Sequence, residues 1–349
     1  MKRYSLCAVA AVLLIALVWA GCSTTDRGPV APNTIGVASK PAAGVIAAQN
    51  RHTDRLLAIR GVVGTAVGHA ADGSWAIQVF TEAAGVAGIP RDLEGISVDV
   101  VVTGKIVALA PKGGSSPDPR SRFDRPVPIG VSTGNENECA AGTIGCRVKD
   151  ASGNPFALSN NHVYARQNSA SLDDGDGNGE EVLQPGRYDT GCSFDPNNII
   201  GSLSDFELIK FDGSDNTIDA AIAASSTANL GNTTPSNGYG TPSSTATTAF
   251  VGQLVQKYGR TTKLTKGKVT GINATVNVGY SSGTAHFVGQ IVVQGTKPFI
   301  KAGDSGSLLV TDPGKNPVGL LFAGTSSGIA IANPIEPVLT RFGVTVDGQ

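Results

Sequence analysis

From residue 129 onward the chain is a succession of short β-type runs. They recur about every 8–15 residues and are separated by clusters of Gly, Asn, Asp and Ser. Residues 250–258, 267–276, 285–293, 307–311, 318–323 and 328–332 are the clearest of these runs. Such runs are too short for buried helices and must pair with one another, which leaves an all-β sandwich or barrel. Composition agrees. The 349 residues include 45 Gly and 19 Pro, and only 16% are charged, which excludes a coiled coil or long helical array. Lys+Arg 27 against Asp+Glu 28 gives a net charge of -1, without the basic surplus of a nucleic-acid binder. With 40% hydrophobic residues and so little net charge, general disorder is also excluded. The length suggests two domains.

The first residues read as a targeting segment. Lys2 and Arg3 precede a nearly continuous apolar stretch from Cys7 to Ala20. About 14 residues fall short of the roughly 30 Å of a bilayer core, so residues 1–21 are read as a signal peptide. Trp19-Ala20-Gly21-Cys22 resembles the lipobox of bacterial lipoproteins. That resemblance implies export from a bacterial cell and a lipid anchor on Cys22, stable only with more than one acyl chain. An ordinary signal peptide, giving a periplasmic or secreted protein, is the alternative. Residues 22–42 form a polar tether.

Residues 43–110 are expected to make a small α/β sandwich. The pattern predicts a helix over 45–59, ended by Gly61, then strands at 62–69 and 75–81 joined by an Asp72-Gly73 hairpin. A second strand pair is expected at 96–102 and 105–109, with a short helix opening near 90–93. Pro111, Pro117, Pro119, Pro126 and Pro128 then mark a linker over 111–128. The β domain occupies 129–349. Cys139 and Cys146 flank Ala-Ala-Gly-Thr-Ile-Gly and are expected to form a local disulfide, leaving Cys192 unpaired. A bond from Cys192 to either of them remains open. No CxxC or HxxxH spacing supports zinc, and no metal site is expected.

Three segments of the β domain carry chemistry. Leu158-Ser159-Asn160-Asn161-His162 follows an apolar run. Thr217-Ile218-Asp219-Ala220-Ala221-Ile222 leads a carboxylate into a buried run, which favours Asp219 over the neighbouring Asp212 and Asp215. Ala302-Gly303-Asp304-Ser305-Gly306-Ser307 sets a Ser between glycines. A Ser hydroxyl needs an imidazole to take its proton, and the imidazole needs a buried carboxylate to hold its tautomer. The developing oxyanion needs backbone N–H donors, which a glycine-flanked turn can aim. Each segment alone has a plain structural explanation; their joint order, His then Asp then Ser, is what suggests nucleophilic catalysis.

These segments resemble the histidine, aspartate and nucleophile motifs of chymotrypsin-like (trypsin-like) serine peptidases of bacterial type. Lys257-Tyr258-Gly259-Arg260-Thr261-Thr262 and Gly267-Lys268-Val269-Thr270-Gly271 resemble the hairpin that precedes the nucleophile there. The resemblance spans about residues 129–345. It implies a double six-stranded β-barrel with the site between barrels. It also implies Ser305 as nucleophile, His162 as general base and then acid, and Asp219 as the orienting carboxylate. Gly303 and Ser305 would supply the oxyanion N–H pair, and Asp304 would enter a buried ion pair with a partner not evident from sequence. The pocket-base position would be Phe299, with a wall along 321–324 that includes Phe322 and Gly324. No acid stands there, so cleavage after Lys or Arg is disfavoured; His286 is an unsupported candidate for glutamate recognition.

Asp174, Asp176 and Asn178, with Gly179, mimic the opening of an EF-hand loop, but Pro185 stands where the bidentate Glu is required. The plainer reading is a solvated acidic loop; calcium, if any, would sit on those three side chains. The expectation is therefore an exported, lipid-anchored, monomeric serine endopeptidase acting on protein or peptide substrates. Its N-terminal block would be a pro- or inhibitory domain, released by a cut near Arg120 to Arg125. The rivals are a non-catalytic cell-surface β-barrel binding module and a calcium-dependent adhesion protein.

Overall fold

The computed structural model describes residues 43–107 and 118–349. The signal peptide, Cys22, the tether and part of the linker lie outside the described residues. The N-terminal block contains α1 (Ala43–Leu57), β1 (Val62–His69), β2 (Trp75–Thr81), β3 (Asp92–Leu93) and β4 (Ile96–Val102). The chain continues with β5 (Ser132–Asn135), β6 (Gly142–Thr143), β7 (Cys146–Lys149), β8 (Pro155–Ser159), α2 (Asn161–Tyr164), β9 (Glu181–Leu183), β10 (Ile199–Phe206), β11 (Asp215–Asn216) and β12 (Ala221–Ala224). Last come β13 (Leu254–Gly259), β14 (Lys263–Tyr280), β15 (Gly283–Gly295), β16 (Leu308–Thr311), β17 (Pro317–Gly324), β18 (Ala330–Pro334), α3 (Ile335–Phe342) and β19 (Thr345–Val346).

Two sheets organise these strands. One has the order β19-β7-β8-β12-β10-β9-β5-β6. It curls because β6 runs almost directly into β7, and Gly145 N donates back to Leu158 O of β8 at 2.8 Å. Ile129, Val131, Ile144, Val148, Leu158, Val182, Ile200 and Ile222 fill its interior. In the other sheet β16-β13-β14 and β15-β18-β17 are joined at both ends, through β14–β15 and β16–β17, so these six strands close a ring. The fold is thus mainly β and consists of two curled barrels, as expected. The strands predicted between 250 and 332 all appear within a few residues of their expected bounds.

In the N-terminal block, α1 buries Ala48 and Leu56 against Val62, Ile77 and Val79. The Asp72-Gly73 turn is formed as expected, with Asp72 Oδ1 accepting from Ser74 N at 2.9 Å. Two expectations here are corrected. Residues 90–93 do not begin a helix; Asp92–Leu93 is a two-residue strand against β4. Within the expected 105–109 run, of which 108 and 109 lie outside the described residues, residues 105–107 do not pair with β4, because β4 is already flanked by β2, in parallel, and by β3. Instead Val107 bridges Gly279 and Gly324, at the ends of β14 and β17. The sheet of the N-terminal block is continuous with the second barrel: β1 pairs antiparallel with β14, from Gly64↔Val276 to Gly68↔Gly271.

The stretch around Arg120 to Arg125, expected to be an open linker, is held against the first barrel. Pro119 is buried and its carbonyl accepts from Ser132 N at 2.7 Å. Gln184 clamps the backbone on both sides, receiving Phe123 N at 3.0 Å and donating to Ser121 O at 2.8 Å. Arg125 Nη1 donates to Asn229 Oδ1 at 2.6 Å. The expected Cys139–Cys146 disulfide is also corrected: Cys139 bonds Cys192. Cys146 is a free, fully buried thiol. It lies on β7 with its side chain in the barrel core, whereas Cys139 lies in the loop before β6, level with the turn at Cys192.

Candidate active site

His162 occupies α2, a single helical turn that follows β8 directly. Burial of Ala157 and Leu158 fixes the end of that strand, and Asn160 locks the turn by donating from Nδ2 to Asp219 O at 2.7 Å. Asp219 lies in the loop between β11 and β12, is fully buried, and receives His162 Nδ1–H on Oδ2 at 2.6 Å. Its Oδ1 accepts His162 N at 3.2 Å. A carboxylate is acceptor-only, so this contact places the ring proton on Nδ1 and leaves Nε2 free to act as a base. Among the described residues Nε2 is buried and has no hydrogen-bond partner.

Ser305 comes from the turn before β16. Gly303 and Gly306 have φ of 91° and 89°, in the region L side chains rarely adopt. A Cβ on Gly306 would also sit 2.3 Å from Thr143 O. The turn is anchored from the first barrel, where Thr143 N donates to Ser305 O at 2.8 Å and Thr143 Oγ1 to Gly303 O at 2.7 Å. Asp304 N, Gly306 N and Ser307 N find carbonyl acceptors at Lys301, Leu321 and Asp304. The N–H groups of Gly303 and Ser305 bond no acceptor among the described residues, so two donors remain open at the turn. Ser305 Oγ donates to Phe322 O at 3.3 Å. His162 and Ser305 line one cavity of about 270 Å³ with Glu138, Ala140–Gly142, Gln167 and Gly279–Ser281.

The partner of Asp304 is Lys257, its Nζ 3.6 Å from Oδ2 with both side chains fully buried. Burial pushes the Lys257 ammonium below its ordinary value, against the pull of Asp304. Asp304 is further held by Thr261 N and Thr262 N at 2.8 and 3.0 Å, and by Lys301 N at 2.9 Å. With Thr262 Oγ1 at 2.7 Å, five donors surround this one carboxylate and turn the Ser305 loop into a rigid piece of the second barrel. A second buried pair joins Arg260 to Asp189, which also accepts Ser132 Oγ at 2.6 Å. It ties the β13–β14 turn to the first barrel.

Sequence reasoning missed Tyr280. It ends β14, is half-buried, and donates its hydroxyl to Asp219 Oδ2 at 2.8 Å, with its ring edge-on to His162 at 5.8 Å. Burial and the charge of Asp219 hold its phenol well above the ordinary range, so it remains a donor. Sequence reasoning also passed over Glu138 and Asn333, whose Oδ1 accepts Asp219 N at 3.1 Å. An aromatic closing a long strand run was the only available signal for Tyr280.

Of the other expected positions, Phe322 meets Ser305 Oγ through its carbonyl, and the side chains of Phe299, Phe322 and His286 do not line the Ser305 cavity. Phe299 is fully buried among Val255, Val269, Val293 and Leu309, in the core of the second barrel, and does not line the cavity with Ser305. The Phe322 ring packs tilted against Phe287 at 4.7 Å, and Gly324 is bonded to Val107 in both directions at 3.2 Å. His286 Nδ1 bonds Asn277 Oδ1 at 2.8 Å, away from Ser305's cavity. In the acidic loop, Asp176 Oδ1 is taken by Asn178 N at 2.8 Å and Asp174 N donates to Asn178 O at 2.9 Å. Among the described residues no three His, Cys, Asp or Glu side chains converge as a metal site would require, and no helix is long and apolar enough to cross a membrane.

Comparison with known proteins finds no matching family model. The chain is 41% identical over 106 residues to Streptogrisin-A of Streptomyces griseus, covering 29% of this chain and 33% of that protein. It is 34% identical over 119 residues to Glutamyl endopeptidase 2 of the same organism, covering 30% and 52%. The chain thus spans between a third and about half of the length of these relatives. Among solved structures, a glutamic acid specific serine protease that uses a histidine triad in substrate binding is 24% identical, with TM-score 0.45, over 63% of this chain and 100% of that one. Cellulomonas bogoriensis chymotrypsin is 20% identical, with TM-score 0.44, over 65% and 100%. This mainly β, two-barrelled chain is thus similar in sequence to bacterial proteases, Streptogrisin-A and Glutamyl endopeptidase 2 among them.

Proposed function

We propose that the chain is an exported serine endopeptidase that cleaves peptide bonds through an acyl-enzyme. The observation that carries this reading is the 2.6 Å bond from His162 Nδ1 to buried Asp219, with the opposite ring nitrogen free beside the Ser305 cavity. Ser305 Oγ turns from Phe322 O, gives its proton to His162 Nε2 and attacks the carbonyl carbon. The oxyanion is received by Gly303 N–H and Ser305 N–H, and Asp219 stabilises the imidazolium. His162 then protonates the departing amine. Water, deprotonated by the same nitrogen, releases the acid and restores the hydroxyl. The likeness to streptogrisin and glutamyl endopeptidase supports peptide substrates. Export, the Cys22 anchor and a monomeric state belong to the same reading.

A fluorophosphonate is expected to label the purified protein, and Ser305→Ala to abolish labelling. Undiminished labelling of that variant overturns the assignment, and no labelling of the parent chain favours the binding-module reading.

A second reading concerns the N-terminal block, as a pro- or inhibitory domain. It is favoured by Val107, which pairs antiparallel with Gly324 on the strand beside Ser305. A strand added to that edge occupies backbone groups that a peptide substrate would use.

A further inference from the structure

Glu138 is an orphan at the site. Its Oε2 is buried and has no hydrogen-bond partner among the described residues, and it lines the cavity that holds His162 and Ser305. The cations nearest in influence are spoken for: His162 by Asp219, and Arg166 by Glu180, to which its Nε donates at 2.9 Å. Burial raises the Glu138 carboxyl above its ordinary range. A carboxylate set in a cavity without a partner costs stability, and a cation seated there would offset that cost.

The backbone presenting Glu138 is rigid. Cys139, the next residue, is bonded to Cys192. Arg187 donates to Glu136 O at 2.6 Å and to Cys192 O at 3.1 Å, closing the loop from below.

The side of the reacting bond on which Glu138 lies follows from strand direction. A chain antiparallel to β17 at Gly324 advances toward Phe322, and Phe322 O is the acceptor for Ser305 Oγ. Residues ahead of the scissile bond therefore lie along Gly324, where Val107 lies now. Residues after it leave on the opposite side of Ser305. That side is formed by residues 138–142, whose continuation Thr143 bonds Ser305 O.

Building on the peptidase reading, we propose that Glu138 selects a cationic side chain, Lys or Arg, in the first two residues after the cleaved bond. The charge would be met by a single half-buried carboxylate on a disulfide-braced loop. Asymmetry of this kind has its largest effect when a neutral or acidic residue leaves the carboxylate unpaired.

The test uses the full chain and peptides identical except at the two positions after the cut, carrying Lys, Gln or Glu. The ratio of kcat/KM for Lys over Gln is expected to be roughly tenfold or more. In Glu138→Gln that ratio falls to near one, and in Glu138→Lys the preference turns toward Glu. A merely structural role would lower all three rates together and leave the ratios as they were, which overturns the proposal. So does a parent chain indifferent to these charges. Fluorophosphonate labelling of the same preparations separates the levels. Labelling without charge preference overturns the assignment of Glu138 alone; absence of labelling overturns the peptidase reading beneath it.

Discussion

Tyr280 belongs to the second barrel, yet its hydroxyl ends on Asp219, in a loop that leads into the first. It shares the Oδ2 atom that receives His162 Nδ1, so it draws charge from the bond that steadies the imidazolium. Tyr280→Phe leaves the buried Asp219 carboxylate one donor short and is expected to cost about 1 kcal/mol of stability, read from denaturant unfolding. An unchanged unfolding midpoint would show that the hydroxyl has no part in holding Asp219. Glu138 gives the opposite kind of test. Its raised carboxyl means the folded state favours the protonated form. Its contribution to stability is thus fully present below the unfolded carboxyl range and is lost as pH rises through the folded value. Glu138→Gln is expected to raise the melting temperature at pH 8 and not at pH 4; an equal rise at both would mean that charge burial is not the cause.

At the scale of elements, the loops between strands decide the site more than the strands do. Residues 139–192 form one closed loop of sequence separation 53 that contains His162. Replacing Cys139 and Cys192 by Ser is expected to cost about 2–5 kcal/mol, read from denaturant unfolding. An unchanged midpoint would show that Arg187 and the Asp189–Arg260 pair hold the loop unaided. Much of this scale is legible in sequence. The turn at Asp72-Gly73, the strands after 250 and the His, Asp and Ser segments all announce themselves through local pattern. The disulfide partner does not. Cys139 and Cys146 are near in sequence but point to different environments, since Cys146 sits in a strand facing the core. Proline spacing likewise suggested an open segment at Arg120 to Arg125, where contacts from Gln184 and Asn229 hold the chain down.

At the scale of the molecule, the N-terminal block adds its strands to the second barrel through β1 and β14 and meets Gly279 and Gly324 through Ile106 and Val107. If it restrains activity, cutting the chain between Val107 and Asp118 is expected to raise peptide hydrolysis, whereas a cut within 120–125 would meet a bonded backbone. The measurement is turnover before and after cleavage at an engineered site; no acceleration, with the block shown to have separated, would remove the inhibitory role.

The sequence by itself determined the β architecture and the order of the His162, Asp219 and Ser305 segments, because alternation, turn residues and short motifs are local properties. It also carried the chemistry of Ser305, whose glycine-flanked turn is written in adjacent positions. Only the tertiary structure decided which groups serve that chemistry from a distance. Tyr280 on Asp219, Lys257 beside Asp304, Glu138 in the cavity and Val107 on Gly324 all depend on register between strands far apart in the chain. Such register is set by the closure of two barrels and by burial across them, and no local pattern encodes it.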